Sequence, residues 1–183
     1  MSKSASGLFN NTKGYREHYF ENNSPSDIIH HRVSNSNLDT RKHALKYKLL
    51  SRKRRSLIAN RIKERKATKL EYKHLESNKR LAKRRSEGVS KFWEEERIRV
   101  ISGTPTRNWS SSQREAIIKG EKPKYKGKTI QGHHTYPVSQ YPHLANKHEV
   151  VYPSTYREHL YGWHGGNYNK AKPGKQINPI KDF

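Results

Sequence analysis

The sequence predicts an α+β protein in which a basic, mainly helical region precedes a small module with the order strand, loop, strand and helix. Between residues 38 and 93 proline is absent and glycine occurs once, while leucine and isoleucine recur at loosely helical spacing. Residues 101–106, ISGTPT, bring glycine and proline together and interrupt this pattern. Short runs of strand type then lie on either side of two adjacent histidines, His133 and His134.

These observations divide the chain into three predicted regions. Residues 1–37 are rich in serine and asparagine and have little apolar periodicity, so they are expected to be a loosely ordered arm. Residues 38–100 are the basic helical region, formed by one long helix or two, and residues 101–183 are the compact module. The first residues contain no apolar run like that of a signal peptide, and no segment is long enough to span a bilayer, so export is expected to need a separate secretion machinery.

The chain carries a large excess of positive charge. Its 183 residues include 39 Lys and Arg against 16 Asp and Glu, which gives a formal net charge of +23 and a pI near 10.2. Such a charge predicts a polyanionic partner; nucleic acid is favoured, while an anionic membrane or an acidic protein stays open. The absence of cysteine excludes disulfides, thiol nucleophiles and cysteine-based zinc sites, so any metal must be bound by histidine, carboxylate or amide oxygen.

The basic side chains are concentrated in two clusters of the helical region, SRKRRS and LAKRRS. Their charge could form a solvated surface, contact nucleic-acid phosphates or face an acidic partner protein. The nucleic-acid interpretation selects both clusters and one lysine of the later module: Lys53, Arg54, Arg55, Lys83, Arg84, Arg85 and Lys128.

Turn and capping residues divide the C-terminal module into elements. Ser112 and Glu115 are spaced as a capping box for a short helix that Gly120 would end. The stretch KPKYKGKTIQG suits a strand or tight hairpin leading to Gly132. EVVYP suits a second strand, and STYREHLYGWH suits a helix that ends near Gly162.

The last helix is predicted to bring a third histidine to the adjacent pair. If it opens near Ser154, it directs His159 toward the strands, where His133 and His134 lie. Neighbouring residues at a strand end point in different directions, so one of the pair is expected to bind metal and the other to face substrate. Convergent neutral imidazoles suit a divalent metal with open positions, and a free imidazole can take a proton from water that attacks a phosphodiester.

The segment GHHTYPVSQYPHLANKHEVVYPSTYREHLYGWHGGNYNK resembles the GHH-signature branch of the HNH/endonuclease VII superfamily. Members are ββα-metal (His-Me finger) nucleases, and many are toxin domains at the C-terminus of Rhs-type and related bacterial polymorphic toxins. The resemblance begins near Arg107 and covers under half the chain. It implies that the C-terminal module is a ββα-metal nuclease domain.

The resemblance also implies roles for individual histidines. His133 would be a metal ligand and His134 the general base, because the HNH pattern places ligand and then base at the end of the first strand. His159 would be a second ligand and His164 a third. Their five-residue interval does not suit one face of a regular helix, but a helix that ends at Gly162 would bring them together.

Two charged neighbours of His159 are further site candidates. Arg157 could contact the scissile phosphate and Glu158 could hydrogen-bond a metal ligand, although both could be surface residues of a helix. The middle asparagine of the HNH pattern is not evident, since its place falls near Glu149 or Val150.

The resemblance implies a metal-dependent endonuclease that hydrolyses DNA, or RNA, with little sequence specificity, because phosphate contacts position a protein without reading bases. The metal would be Mg²⁺, Mn²⁺, Ni²⁺ or Zn²⁺. The domain would belong to a larger polypeptide delivered by a bacterial secretion system, act in the target-cell cytoplasm and be neutralised by an acidic immunity protein. Two alternatives stay open: a phage or mobile-element HNH endonuclease, and a basic nucleic-acid-binding protein without enzymatic activity.

Overall fold

The computed structural model describes residues 23–44 and 48–183. Helices and short strands are both present, which confirms the predicted α+β class. Within the described residues, no helix has the length and apolarity that crossing a membrane requires. In chain order the main elements are α1 (Pro25–Ser34), α2 (Arg52–Lys63), α3 (Lys69–Ser102), α4 (Ser111–Ile118), β1 (Lys124–Tyr125), β2 (Lys128–Thr129), β3 (Gln131–His134), β4 (Val151–Ser154) and a π-helix (Glu158–Trp163).

Helix α1 lies in the region expected to be a loosely ordered arm. The Ser24 hydroxyl accepts from the backbone N of Asp27 (3.1 Å), and the Asp27 carboxylate accepts from the backbone N of Ser24 (3.0 Å). Ile29 is fully buried in a cluster that includes Tyr152 of β4. The structure therefore differs from the expectation here, because a capping box and burial against the module stabilise a helix with little periodicity of its own. Residues 1–22 of the predicted arm lie outside the described residues.

The basic region forms two helices, which is one of the two predicted arrangements. Thr68 and Glu71 make a capping box that opens α3, and Gly103 ends it in the left-handed conformation at φ 76°. The Glu71 carboxylate also binds Arg54 (3.3 Å) and Arg61 (3.1 Å) of α2. One acidic residue therefore joins two helices that otherwise present mostly positive charge.

Helix α3 continues beyond the basic clusters and contributes to the core of the module. Phe92 is fully buried. Glu96 is also fully buried, and its carboxylate accepts hydrogen bonds from the indole Nε1 of Trp109 (2.7 Å) and from the backbone N of Thr106 (2.7 Å). The chain that follows the helix thus folds back onto it through a buried carboxylate. The division into domains at residue 101 stays a prediction.

Helix α4 begins two residues earlier than the sequence indicates. Its cap is Ser110, whose hydroxyl accepts from the backbone N of Gln113 (3.3 Å) while the Gln113 side chain accepts from the backbone N of Ser110 (2.9 Å). The predicted capping pair, Ser112 and Glu115, is therefore wrong, because a glutamine can complete a capping box as well as a glutamate. Gly120 follows the helix end at φ 79°, as predicted.

Two antiparallel strand pairs deliver the predicted order of strand, loop, strand and helix. β1 and β2 form a tight hairpin whose two turn residues, Lys126 (φ 48°) and Gly127 (φ 76°), have the positive φ values of a type I′ turn. β3 pairs with β4 so that His133 lies opposite Tyr152 and the next residue of β3 lies opposite Val151. The π-helix follows β4 directly, so β3, β4 and this helix surround the histidines.

Candidate metal centre and active site

Three histidines converge beside β3. The centroid of the His133 ring lies 4.5 Å from that of His159 and 5.1 Å from that of His164, and the last two centroids are also 5.1 Å apart. One nitrogen from each ring can be chosen so that all three lie within 4.8 Å of one another. We call this group the histidine cluster. Its members are the three residues that the sequence analysis selected as metal ligands.

A π-helix explains how two histidines five residues apart share one face. The backbone N of His164 donates to the carbonyl of His159 at 3.2 Å, which is the hydrogen bond that defines this wider turn. The sequence led us to expect a helix that ends at Gly162, whereas the π-helix continues through Trp163. The carbonyl of Gly162 accepts from the backbone N of Ile177 (2.8 Å), so the later chain packs against the wide turn.

The electrostatics of the cluster favour neutral imidazoles. Burial, followed by the nearby charges of the other histidines, holds the pKa of His133 well below its usual value. Burial, His164 and Arg85 together lower the pKa of His159 to about 4. Three neutral imidazole nitrogens fit a first-row divalent ion and leave further coordination positions for water or substrate. The donor set is therefore suited to a catalytic metal.

His134 points to the other face of β3, toward α3. It lies in a groove of about 350 Å³ whose lining also includes Arg85 and Lys122. Its Nε2 lies 2.7 Å from the backbone carbonyl oxygen of Ala145. Because a carbonyl only accepts, Nε2 carries the proton and Nδ1 is left as an acceptor. Burial lowers the pKa of His134, an effect that the Ala145 hydrogen bond partly opposes.

The carbonyl that orients His134 is held by α3. A Cβ at Gly88 would lie only 2.4 Å from the Ala145 oxygen, so a side chain does not fit there. Arg84 donates to the carbonyl of His143 (3.0 Å) and to the side-chain oxygen of Asn146 (2.9 Å). The sequence showed no asparagine at the middle position of the HNH pattern, near Glu149 or Val150, and the hydrogen-bond partner of the His134 ring is a backbone carbonyl. A single glycine in a helix of 34 residues is the signal that could have indicated it.

Comparison with known proteins agrees with this geometry. Residues 75–155 match the family model described as GHH signature containing HNH/Endo VII superfamily nuclease toxin. These residues are similar to the GHH nuclease toxins. No curated protein and no solved structure shows significant similarity to the chain.

The family match joins part of α3 to the strands that carry the site. It begins within α3 and includes His133 and His134, whereas His159 and His164 lie beyond its end. Nucleases of this superfamily typically use a divalent metal, and the histidine cluster can bind one. Two of the three histidines of the cluster therefore lie outside the matched segment.

Two predicted site residues, Arg157 and Glu158, take other positions in the fold. Glu158 is fully buried and accepts two hydrogen bonds from Arg107, at 2.6 and 2.7 Å, and one from the backbone N of Thr155 at 2.9 Å. Arg157 is largely exposed and pairs with Asp182 at 2.5 Å. Within the described part of the chain, no hydrogen bond or ion pair joins either side chain to the histidine cluster. Sequence reasoning missed Arg107, because nothing local connects two residues 51 positions apart.

The basic residues selected from the sequence take different positions in the fold. Arg85 lies in the groove with His134. Arg84 and Arg54 have partners within the protein. The nucleic-acid contacts of these basic residues stay a prediction. The remaining members are exposed: Lys53, Arg55, Lys83 and Lys128.

The lowered pKa of His159 predicts how the metal-free protein responds to acid. Between about pH 7 and pH 5 the unfolded chain binds a proton at this histidine, with its usual pKa near 6.5, while the folded chain with a pKa of about 4 does not. The free energy of unfolding should therefore decrease as the pH falls across this range. Urea unfolding in EDTA at several pH values measures this free energy. His159→Gln should make its decrease with falling pH shallower. An equal slope in the variant would contradict the assignment.

Proposed function

We propose that the protein is a metal-dependent endonuclease that hydrolyses DNA phosphodiester bonds with little sequence specificity. One observation carries the proposal: two adjacent residues of β3 serve opposite faces. His133 joins the histidine cluster, and His134 faces an open groove with its ring oriented by a backbone carbonyl. A ligand set beside a separately oriented base is the arrangement that hydrolysis of a phosphodiester requires.

His134 acts as the general base in this reaction. Its Nδ1 accepts a proton from a water molecule as the water oxygen forms a bond to phosphorus, while the bond from phosphorus to the leaving sugar oxygen breaks. Because its pKa is lowered, the ring is neutral and ready to accept a proton near pH 7. The histidine cluster would hold a divalent ion, which would supply charge stabilisation for the phosphate and the leaving oxygen.

Arg85 holds the phosphate in the groove. Its positive charge helps to lower the pKa of His133, His134 and His159. Within residues 23–44 and 48–183, no hydrogen bond or ion pair engages its guanidinium, so the group is available for a phosphate. Lys122 lines the same groove and adds a second positive charge.

The rest of the positive charge supports binding along the nucleic-acid backbone. The exposed lysines and arginines of α2 and α3 can neutralise phosphates without reading bases, which accounts for low sequence specificity. The family match supports a toxin that is part of a larger delivered polypeptide and acts in the target-cell cytoplasm. A net charge of +23 supports neutralisation by an acidic immunity protein.

Metal dependence of cleavage tests the proposed function. The purified chain should convert supercoiled plasmid to nicked and linear forms with at least one of Mg²⁺, Mn²⁺, Ni²⁺ or Zn²⁺, and EDTA should stop the reaction. A parallel assay on RNA distinguishes the two substrates. Fragments with defined ends would favour a phage or mobile-element endonuclease. Tight, salt-sensitive binding without cleavage under any metal would leave a nucleic-acid-binding protein without nuclease activity.

A further inference from the structure

Three tyrosines are exposed beside the histidine cluster. Tyr156, Tyr161 and Tyr168 are 52%, 49% and 53% exposed, although large aromatic side chains usually bury most of their surface. Tyr156 lies just before the π-helix and Tyr161 lies within it, so both are carried by the segment that positions His159. We call these three side chains the tyrosine surface.

The tyrosine surface is continuous with the histidine cluster. The ring centroid of Tyr168 lies 5.4 Å from that of His159 and 5.2 Å from that of His164. Partial burial and the nearby hydroxyl groups of Tyr156 and Tyr161 raise the pKa of Tyr168, which is consistent with three phenols that share one region of the surface. A ligand that reaches the cluster from this side must pass over aromatic rings.

Positive charge borders the same surface. The ammonium group of Lys128 lies 5.4 Å from the centroid of the Tyr156 ring. Beyond this pair is a cavity of about 200 Å³, which is also lined by Tyr125 and Lys126. Flat aromatic faces next to lysines match a ligand that has both flat apolar rings and negative charge. A nucleotide combines the two, because its base can stack and its phosphate can bind a lysine.

We propose that the tyrosine surface stacks on unpaired nucleobases of the strand that enters the histidine cluster, so that the domain binds single-stranded or locally unpaired nucleic acid more tightly than duplex. This inference deepens the proposed function by naming its preferred substrate. Stacking on a side chain needs an exposed base face, which a paired base inside a duplex does not offer. The preference is for unpaired structure and not for sequence, since every base has a face that can stack.

Binding without metal tests the proposal separately from cleavage. Fluorescence anisotropy of the full chain in EDTA compares a labelled single strand of about 12 nucleotides with an abasic strand that has the same number of phosphates, and with duplex. We expect the single strand to bind about tenfold more tightly than the abasic strand. Tyr161→Leu and Tyr168→Leu should remove most of this difference, whereas Tyr161→Phe, which keeps the ring, should retain it.

A matched control is Tyr72→Leu, because Tyr72 is 51% exposed on α3 at a distance from the cluster in the fold. This variant should leave unchanged the ratio between the affinity for the single strand and the affinity for the abasic strand. Equal affinity of the wild-type chain for the base-containing and abasic strands would overturn the proposal and leave the tyrosine surface as a contact for a protein partner. Base-dependent binding without cleavage under any metal would defeat the nuclease function and preserve the stacking.

Discussion

Replacing His134 by alanine is expected to slow metal-dependent cleavage by about two to four orders of magnitude, the usual contribution of a general base. The change removes Nδ1, the acceptor that the Ala145 carbonyl leaves unprotonated. Metal binding should persist, since the histidine cluster is on the other face of β3. Single-turnover cleavage with saturating metal measures the rate, and titration calorimetry measures the metal affinity of the same preparation.

The chain offers a matched control in a second pair of adjacent histidines. His30 and His31 are exposed on α1, so His30→Ala removes an imidazole without touching the groove or the histidine cluster, and it should cleave at the wild-type rate. His159→Ala should instead lose metal affinity and cleavage together. A His134→Ala protein that retains most of its activity would exclude the general-base role. One that loses metal binding would identify His134 as a ligand.

Replacing Arg107 by methionine is expected to lower the free energy of unfolding by about 3–5 kcal/mol, because it leaves the Glu158 carboxylate buried without its partner. Both side chains of this pair are fully buried. Domains are typically stable by only about 5–15 kcal/mol, so much of the stability would be lost. Glu158 also accepts from the backbone N of Thr155, at the start of the turn that leads to His159. Metal affinity should therefore fall as well. Urea unfolding monitored by circular dichroism measures the first effect.

A neighbouring ion pair provides the comparison. Arg157→Ala breaks a contact in which the arginine side chain is 62% exposed and the Asp182 side chain is buried. The Thr155 hydroxyl still donates to the Asp182 carboxylate, so the loss should be only about 1 kcal/mol. Combining Arg107→Met with Glu158→Met should recover part of the loss, because no unpaired buried charge then remains. If Arg107→Met were no more destabilising than Arg157→Ala, the buried pair would not be what holds this part of the domain together.

The sequence was sufficient for features that depend on local patterns. Helical periodicity and the absence of proline predicted the long helical region, and the order of turns and strand-like runs predicted the module. The two-residue period of a strand predicted that His133 and His134 point to different faces. His159 followed from the helix predicted after the second strand, and His164 followed from the resemblance to a family motif. These inferences succeed because caps, periods and motifs express interactions between residues close in the chain.

Tertiary structure alone decided how the site is held. No periodic pattern in the sequence indicates the π-helix, the Ala145 carbonyl or the buried partner of Glu158. Arg84 holds a loop within the protein, although its cluster suggested phosphate binding. Each depends on segments separated along the chain, by 11 positions for His134 and Ala145 and by 51 for Arg107 and Glu158. The free energy of such contacts comes from burial and hydrogen bonding in the folded state. A buried charge or carbonyl produces no periodic pattern in the sequence from which its partner could be identified.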